Sequence, residues 1–126
     1  MTIHLDTSIL VDAFSFPYRL LPLLENAALA GHRIQFSTPV AYEWLRGHRT
    51  DEELRDQERM LPLAAVVTFD APCARRAAVA YRHVRRARGR EMDLAIAACA
   101  IEHDAALWTL NPGDFDDIPG LTLYKP

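Results

Sequence analysis

The segment Met92–Glu102 carries Leu94, Ala95, Ile96, Ala97, Ala98, Cys99, Ala100 and Ile101 in one run. A helix built from it is apolar nearly all round and has to be covered on every side. Around it, short apolar runs alternate with helical patterns. Ile3-His4-Leu5 and Ile34-Gln35-Phe36 read as strands, as do Ala65–Thr68, Ala106–Thr109 and Leu121–Tyr124. Between them lie an apolar helix over Leu20–Ala30, stopped by Gly31, and a helix opened by Thr38-Pro39. Thr50-Asp51-Glu52-Glu53 forms a capping-box pattern for a helix to about Leu61. Asp70 is placed to cap a long helix from Ala71 to about Ala87, ended near Gly89. Strands alternating with helices predict an α/β chain with a central, mainly parallel sheet of four to five strands and helices on both faces. In such sheets ligands bind at the carboxyl ends of the strands.

The chain has 126 residues, 50% of them hydrophobic, enough for one core and one domain spanning residues 1–126. It opens without a basic-then-apolar leader, and no apolar run approaches the roughly 20 residues that cross a bilayer. A cytoplasmic location with no membrane partner is the expectation. Cys73 and Cys99 form no CxxC pair and sit among alanines, as small core residues do.

Four carboxylates fall near the expected carboxyl edge. Asp6 follows the first strand, and Glu43 lies just over one turn into the helix after the second. Asp93 is in the first turn of the apolar helix, and Asp114 follows the Trp108-Thr109 strand after a turn. Each has a plainer alternative. Asp6 can be a helix cap, Glu43 a solvent-facing residue, Asp93 a complement to a helix dipole, and Asp114 a turn residue beside Asp116 and Asp117. Gathered together they repel and raise one another's pKa, so they call for a cation. Oxygen-only ligands select hard ions, Mg²⁺ or Mn²⁺. His4, His32, His48, His83 and His103 show no zinc spacing and read as surface or edge residues.

The order and context of these acids resemble a PIN-domain ribonuclease, in particular a VapC-type toxin of a toxin–antitoxin pair. The first motif is Leu5-Asp6-Thr7-Ser8-Ile9-Leu10-Val11-Asp12, and the second is Thr38–Gly47 around Glu43. The third is Asp93–Ala98 followed by Glu102-His103, and the fourth is Trp108–Phe115 followed by Ile118–Leu121. Together they span nearly the whole chain. The resemblance implies a PIN-like three-layer α/β/α sandwich with Asp6, Glu43, Asp93 and Asp114 as metal and catalytic acids. Thr7, Ser8, Thr109 and Asn111 would be helpers that hydrogen-bond the carboxylates or the metal's waters. It further implies Mg²⁺-dependent hydrolysis of RNA phosphodiester bonds (Mn²⁺ able to substitute), a homodimer, and a cognate antitoxin covering the site. Two departures stand out. Arg90-Glu91-Met92 precedes the third acid where the family often has Gly or Pro, and Leu110 lies where many relatives carry Arg.

The net charge of −3 argues against binding nucleic acid by bulk charge. The basic residues are nevertheless segregated: seven of the 14 lie between Ala71 and Arg90, where there is no acid. Read as one helix, this stretch puts Arg82, Arg85 and Arg86 on a shared face as RNA contacts. The plainer expectation is a solvated face pairing with the acidic segment Asp51–Glu58. Of the rival functions, a catalytically inactive PIN-like module binding RNA or protein is the main one. A receiver-type phosphotransfer domain wants a Lys after a late strand, and the only Lys, Lys125, is at the very end.

Overall fold

The computed structural model describes residues 1–126. Four strands, β1 (Thr2–Leu5), β2 (Arg33–Gln35), β3 (Ala106–Trp108) and β4 (Thr122–Leu123), form one sheet in the order β2-β1-β3-β4. Every pairing is parallel. Six helices flank it: α1 (Thr7–Phe14), α2 (Leu21–Leu29), α3 (Thr38–Arg46), α4 (Asp51–Met60), α5 (Ala71–His83) and α6 (Glu91–Glu102). No helix is long and apolar enough to cross a membrane.

Local chemistry starts the helices where the sequence signals it. Thr50 and Glu53 complete their reciprocal box at the head of α4, with distances of 3.1 Å and 2.8 Å. The Asp70 carboxylate accepts from the Cys73 N–H at 3.2 Å to cap α5. The apolar helix α6 buries Leu94, Ile96, Ala97, Ala98, Cys99 and Ala100. It is covered by α5 on one side and by α3 and β3 on others, which is what its composition demands. Cys73 and Cys99 are both buried free thiols, and burial pushes the Cys99 thiol up to about 12. A second helical group gathers around α1, which packs on α2, α3 and α4. Within the leucine-rich α2, Leu24 is fully buried and Leu21 half-buried, whereas Leu23 and Leu29 are exposed.

Three expectations are corrected. Ala65–Thr68 is not a strand. A short 3-10 turn occupies Leu63–Ala65, and the only pairing left is a bridge between Ser37 and Val67. The chain enters α3 at Thr38, so the edge beside β2 offers too little extended backbone for a ladder. The helix expected to reach Ala87 stops at His83. Val84 turns extended, and Val84 and Ala87 then pack against the core. Like charges spaced three and four residues apart in Arg82–Arg90 give a longer helix little to gain. The third correction is His4, which is 2% exposed rather than at the surface. It lies on β1, the strand between β2 and β3, where neither face of the sheet meets water. Burial holds the imidazole down at about 4, against a hydrogen bond to Gln35 at 3.2 Å that favours the charged form.

One buried polar link joins the second helical group. The Trp44 indole N–H donates to Gln57 Oε1 at 3.1 Å, and Gln57 Nε2 donates to the Leu61 carbonyl at 2.8 Å. Gln57→Leu strands both partners inside the fold. A loss of about 2 kcal/mol in urea unfolding is the expected result, and an unchanged midpoint would show that water reaches these groups.

Candidate active site

The carboxyl ends of the two neighbouring strands β1 and β3 build the centre of the site. Leu5 pairs in register with Trp108, so Asp6 and Thr109 emerge side by side. The Asp6 N–H donates to the Trp108 carbonyl at 2.9 Å, which fixes where its side chain starts. Asp6 stands at the N-cap position of α1, yet its carboxylate makes no capping bond. Instead Oδ2 accepts from Thr109 Oγ1 at 2.7 Å and from Ser8 Oγ at 2.9 Å. Those hydroxyls are held in turn. The Leu110 N–H donates to Ser8 Oγ and the Asn111 N–H to Thr109 Oγ1, both at 3.0 Å. Asp6 is 5% exposed, so this is a buried carboxylate oriented through one oxygen.

Glu43 approaches from α3. Its Oε1 accepts from Thr7 Oγ1 at 2.5 Å, and its Oε2 lies 3.5 Å from the Arg46 guanidinium. Asp93, in the first turn of α6, has its carboxyl pushed up to about 6. Burial is the largest cause. The negative charges of Asp6, Asp114 and Glu43 follow, and Arg90 partly offsets them. Asp93 thus feels all three of the other acids. Asp114 ends a 3-10 turn over Pro112–Asp114 and is exposed.

The neighbours of Asp114 have a different task. Asp117 takes both guanidinium nitrogens of Arg90, at 2.6 Å and 2.9 Å, and this pairing holds its carboxyl below the usual range. Arg90 also donates to the Asp114 carbonyl at 3.0 Å and to the Arg85 carbonyl at 2.9 Å. Asp117 is therefore part of a structural clamp that places the Asp114 turn. Glu91 accepts from the Gly89 N–H through both oxygens, at 2.7 Å and 2.9 Å. Of the four candidate helpers, Thr7, Ser8 and Thr109 engage Glu43 or Asp6 through their hydroxyls, while Asn111 contributes its backbone N–H. Sequence reasoning gave Arg90 no role in this arrangement. Its position three residues before Asp93 was the available signal.

The donor set is all oxygen, and no Lys side chain enters it. The groups suit a hard divalent cation. No three acidic, His or Cys side chains stand together as a finished metal cage. Bare like charges hold one another apart, and a divalent ion reverses that balance. An apolar groove of about 500 Å³ lies elsewhere, between α1, α2 and α4, lined by Phe14, Leu21, Leu29 and Met60 among others.

The arginine stretch also differs from expectation. Arg82 ends α5, whereas Arg85 and Arg86 lie in the following loop, so the three do not share a helix face. The stretch does not pair with Asp51–Glu58 either. Arg76 pairs with Glu102 and Arg90 with Asp117, while Asp56 pairs with Arg59 of its own helix.

The profile of the PIN domain family matches residues 3–121. The chain belongs to the PIN domain family. No curated protein matches it by sequence. Among solved structures it resembles VapBC2 from Rickettsia felis bound to a promoter DNA fragment, with a TM-score of 0.74 and 24% identity over 98% of each chain. The DNA-bound VapBC of Salmonella typhimurium gives a TM-score of 0.77 at 19% identity, over 98% of this chain and 97% of that one. FitAcB from Neisseria gonorrhoeae gives 0.70 at 21%, over 97% and 96%. These similarities describe the fold: a parallel four-stranded sheet flanked by helices.

Proposed function

We propose that this PIN domain is a Mg²⁺-dependent endoribonuclease, the VapC-type toxic member of a type II toxin–antitoxin pair. The observation that carries this reading is the raised carboxyl of Asp93, caused after burial by Asp6, Asp114 and Glu43 together. Four acids from separate parts of the chain share one electrostatic field, and the buried Asp6 carboxylate is oriented by two hydroxyls without serving as a helix cap. Membership of the PIN family and the likeness to VapBC complexes support the toxin assignment.

Asp6, Glu43, Asp93 and Asp114 would hold Mg²⁺, or Mn²⁺ in its place. Once bound, the ion supplies water activation and neutralises charge on the phosphoryl group. The protein's part is orientation. Ser8 and Thr109 fix the Asp6 carboxylate, and Thr7 and Arg46 fix that of Glu43. Burial and the neighbouring acids hold the Asp93 carboxyl up at about 6, and a bound cation would favour its carboxylate form. Hydrolysis by water leaves a 5′-phosphate and a 3′-hydroxyl, so the 2′-hydroxyl is not required. Arg82, Arg85 and Arg86 would meet the phosphates of the RNA flanking the cut. The domain would act as a homodimer, and an antitoxin helix would suit the groove between α1, α2 and α4.

The deciding assay is cleavage of total cellular RNA with Mg²⁺ or Mn²⁺, beside Asp6→Asn. Cleavage by the wild-type chain alone is the expected result. No metal-dependent difference at high enzyme concentration would leave an RNA- or protein-binding module. Thr109→Val removes one of the two hydroxyls on Asp6 while keeping the side-chain shape. A rise of about 10–100-fold in the Mg²⁺ concentration for half-maximal cleavage is expected, and an unchanged Mg²⁺ titration would make Thr109 a packing residue only.

A further inference from the structure

An open cleft of about 320 Å³ runs between α5 and the first turn of α6. Tyr81, Arg82, Ala77 and Ala78 line it from α5, and Glu91 and Leu94 from α6. Leu94 follows Asp93 directly, but the cleft opens on a different side of α6. The cleft-lining Glu91 and Leu94 thus flank Asp93 in the first turn of the same helix.

We propose that this cleft receives an unpaired nucleobase of the single-stranded RNA substrate, with Tyr81 stacking on the base and Arg82 gripping an adjoining phosphate. The inference rests on the reading of the domain as an RNA-cleaving enzyme. Three observations carry it. Tyr81 is 43% exposed beside an apolar floor of Ala77, Ala78 and Leu94, an arrangement that offers a ring face to a flat partner.

The surroundings are also charged for a polyanion. Arg75, Arg82, Arg85, Arg86 and Arg88 make no ion pair, while Arg76 and Arg90 do. The one acid lining the cleft, Glu91, is occupied by the Gly89 N–H.

The third observation is that the arginine loop is held, not loose. Arg90 bonds the Arg85 carbonyl while clamped to Asp117 and to the Asp114 carbonyl. Val84 and Ala87 pack inward, leaving Arg85, Arg86 and Arg88 exposed, with Arg86 at a φ of 54°. A non-glycine residue in that left-handed region is uncommon, and it persists because the surrounding bonds enforce it. One clamp thus joins the basic loop to the turn that carries Asp114. A nucleobase fits these features better than a protein segment does, because aromatic stacking beside unpaired arginines is the usual way single strands are held.

The test is fluorescence anisotropy of the full chain in EDTA, with a labelled ten-nucleotide single-stranded RNA of mixed sequence and the same RNA annealed to its complement. Tyr81→Ala is expected to weaken single-strand binding about tenfold, with the melting temperature unchanged and duplex binding unaffected. Tyr81→Phe keeps the ring and is expected to bind as the wild type does. Arg82→Gln is expected to weaken binding and to reduce the salt slope by about one. Wild-type affinity in Tyr81→Ala, equal losses in Tyr81→Phe and Tyr81→Ala, or no RNA binding by the wild type would each overturn the proposal. Cleavage is read separately with Mg²⁺. Tyr81-dependent binding without cleavage would retain the base site and reject the nuclease reading.

Discussion

Asp93→Asn is expected to eliminate divalent-dependent RNA cleavage and, without divalent ion, to raise the melting temperature at pH 7.5. Loss of an acid that holds the ion should exceed the ~10–100-fold cost of losing a group that only orients one. The stability gain follows from the field at this position. The Asp93 carboxyl sits at about 6 in the fold against an ordinary 3.8, because burial and the charges of Asp6, Asp114 and Glu43 penalise its ionised form. The folded chain therefore holds this proton more tightly than the unfolded chain does. Its contribution to stability is fully present below about pH 4 and is lost as the pH rises through 6. At pH 7.5 the carboxylate is a net burden on the fold, and a neutral amide removes it. Scanning fluorimetry in EDTA checks the sign. A marked drop in melting temperature would mean that Asp93 is a structural residue.

The pH dependence of stability should change shape in the same variant. His4 works in the opposite direction to Asp93. Its imidazole is held at about 4 against an ordinary 6.5, chiefly by burial. The unfolded chain takes up that proton first, so the His4 contribution is present above pH 6.5 and is lost as the pH falls through 4. The two shifts are similar in size and opposite in sign, so between about pH 4 and 6 they largely cancel in the wild type. Asp93→Asn removes one half of the balance. Its stability should then fall steeply on acidification below pH 6.5, while His4→Gln should become more stable over the same range. Asp117, held low by Arg90, enters only below the ordinary carboxylate value of 3.8. Urea midpoints measured every half pH unit from 4 to 7.5 give the three slopes. Parallel curves for wild type and Asp93→Asn would show that the two groups do not face the environment described above.

These expectations draw unequally on sequence and structure. The parallel α/β architecture, the caps at Thr50 and Asp70 and the burial of α6 could all be read directly, because each depends on neighbours within a few residues. The order of the four acids was also legible, since parallel strands bring their carboxyl ends to one edge. The acids' separate roles were not. Asp114 and Asp117 lie three residues apart in one short turn, and only the clamp on Arg90 distinguishes them. His4 looked like an edge residue until β1 was found between β2 and β3.

The amino-acid sequence by itself determined where helices begin and which helix must be internal. Tertiary structure alone decided that Ala65–Thr68 is not a strand, because α3 leaves it almost no edge to pair with. It also decided that the arginines beyond His83 form a clamped loop and not a helix face. Capping and periodicity act over one or two turns. The Arg90 clamp joins groups up to 27 residues apart, and no local pattern encodes a bond of that reach.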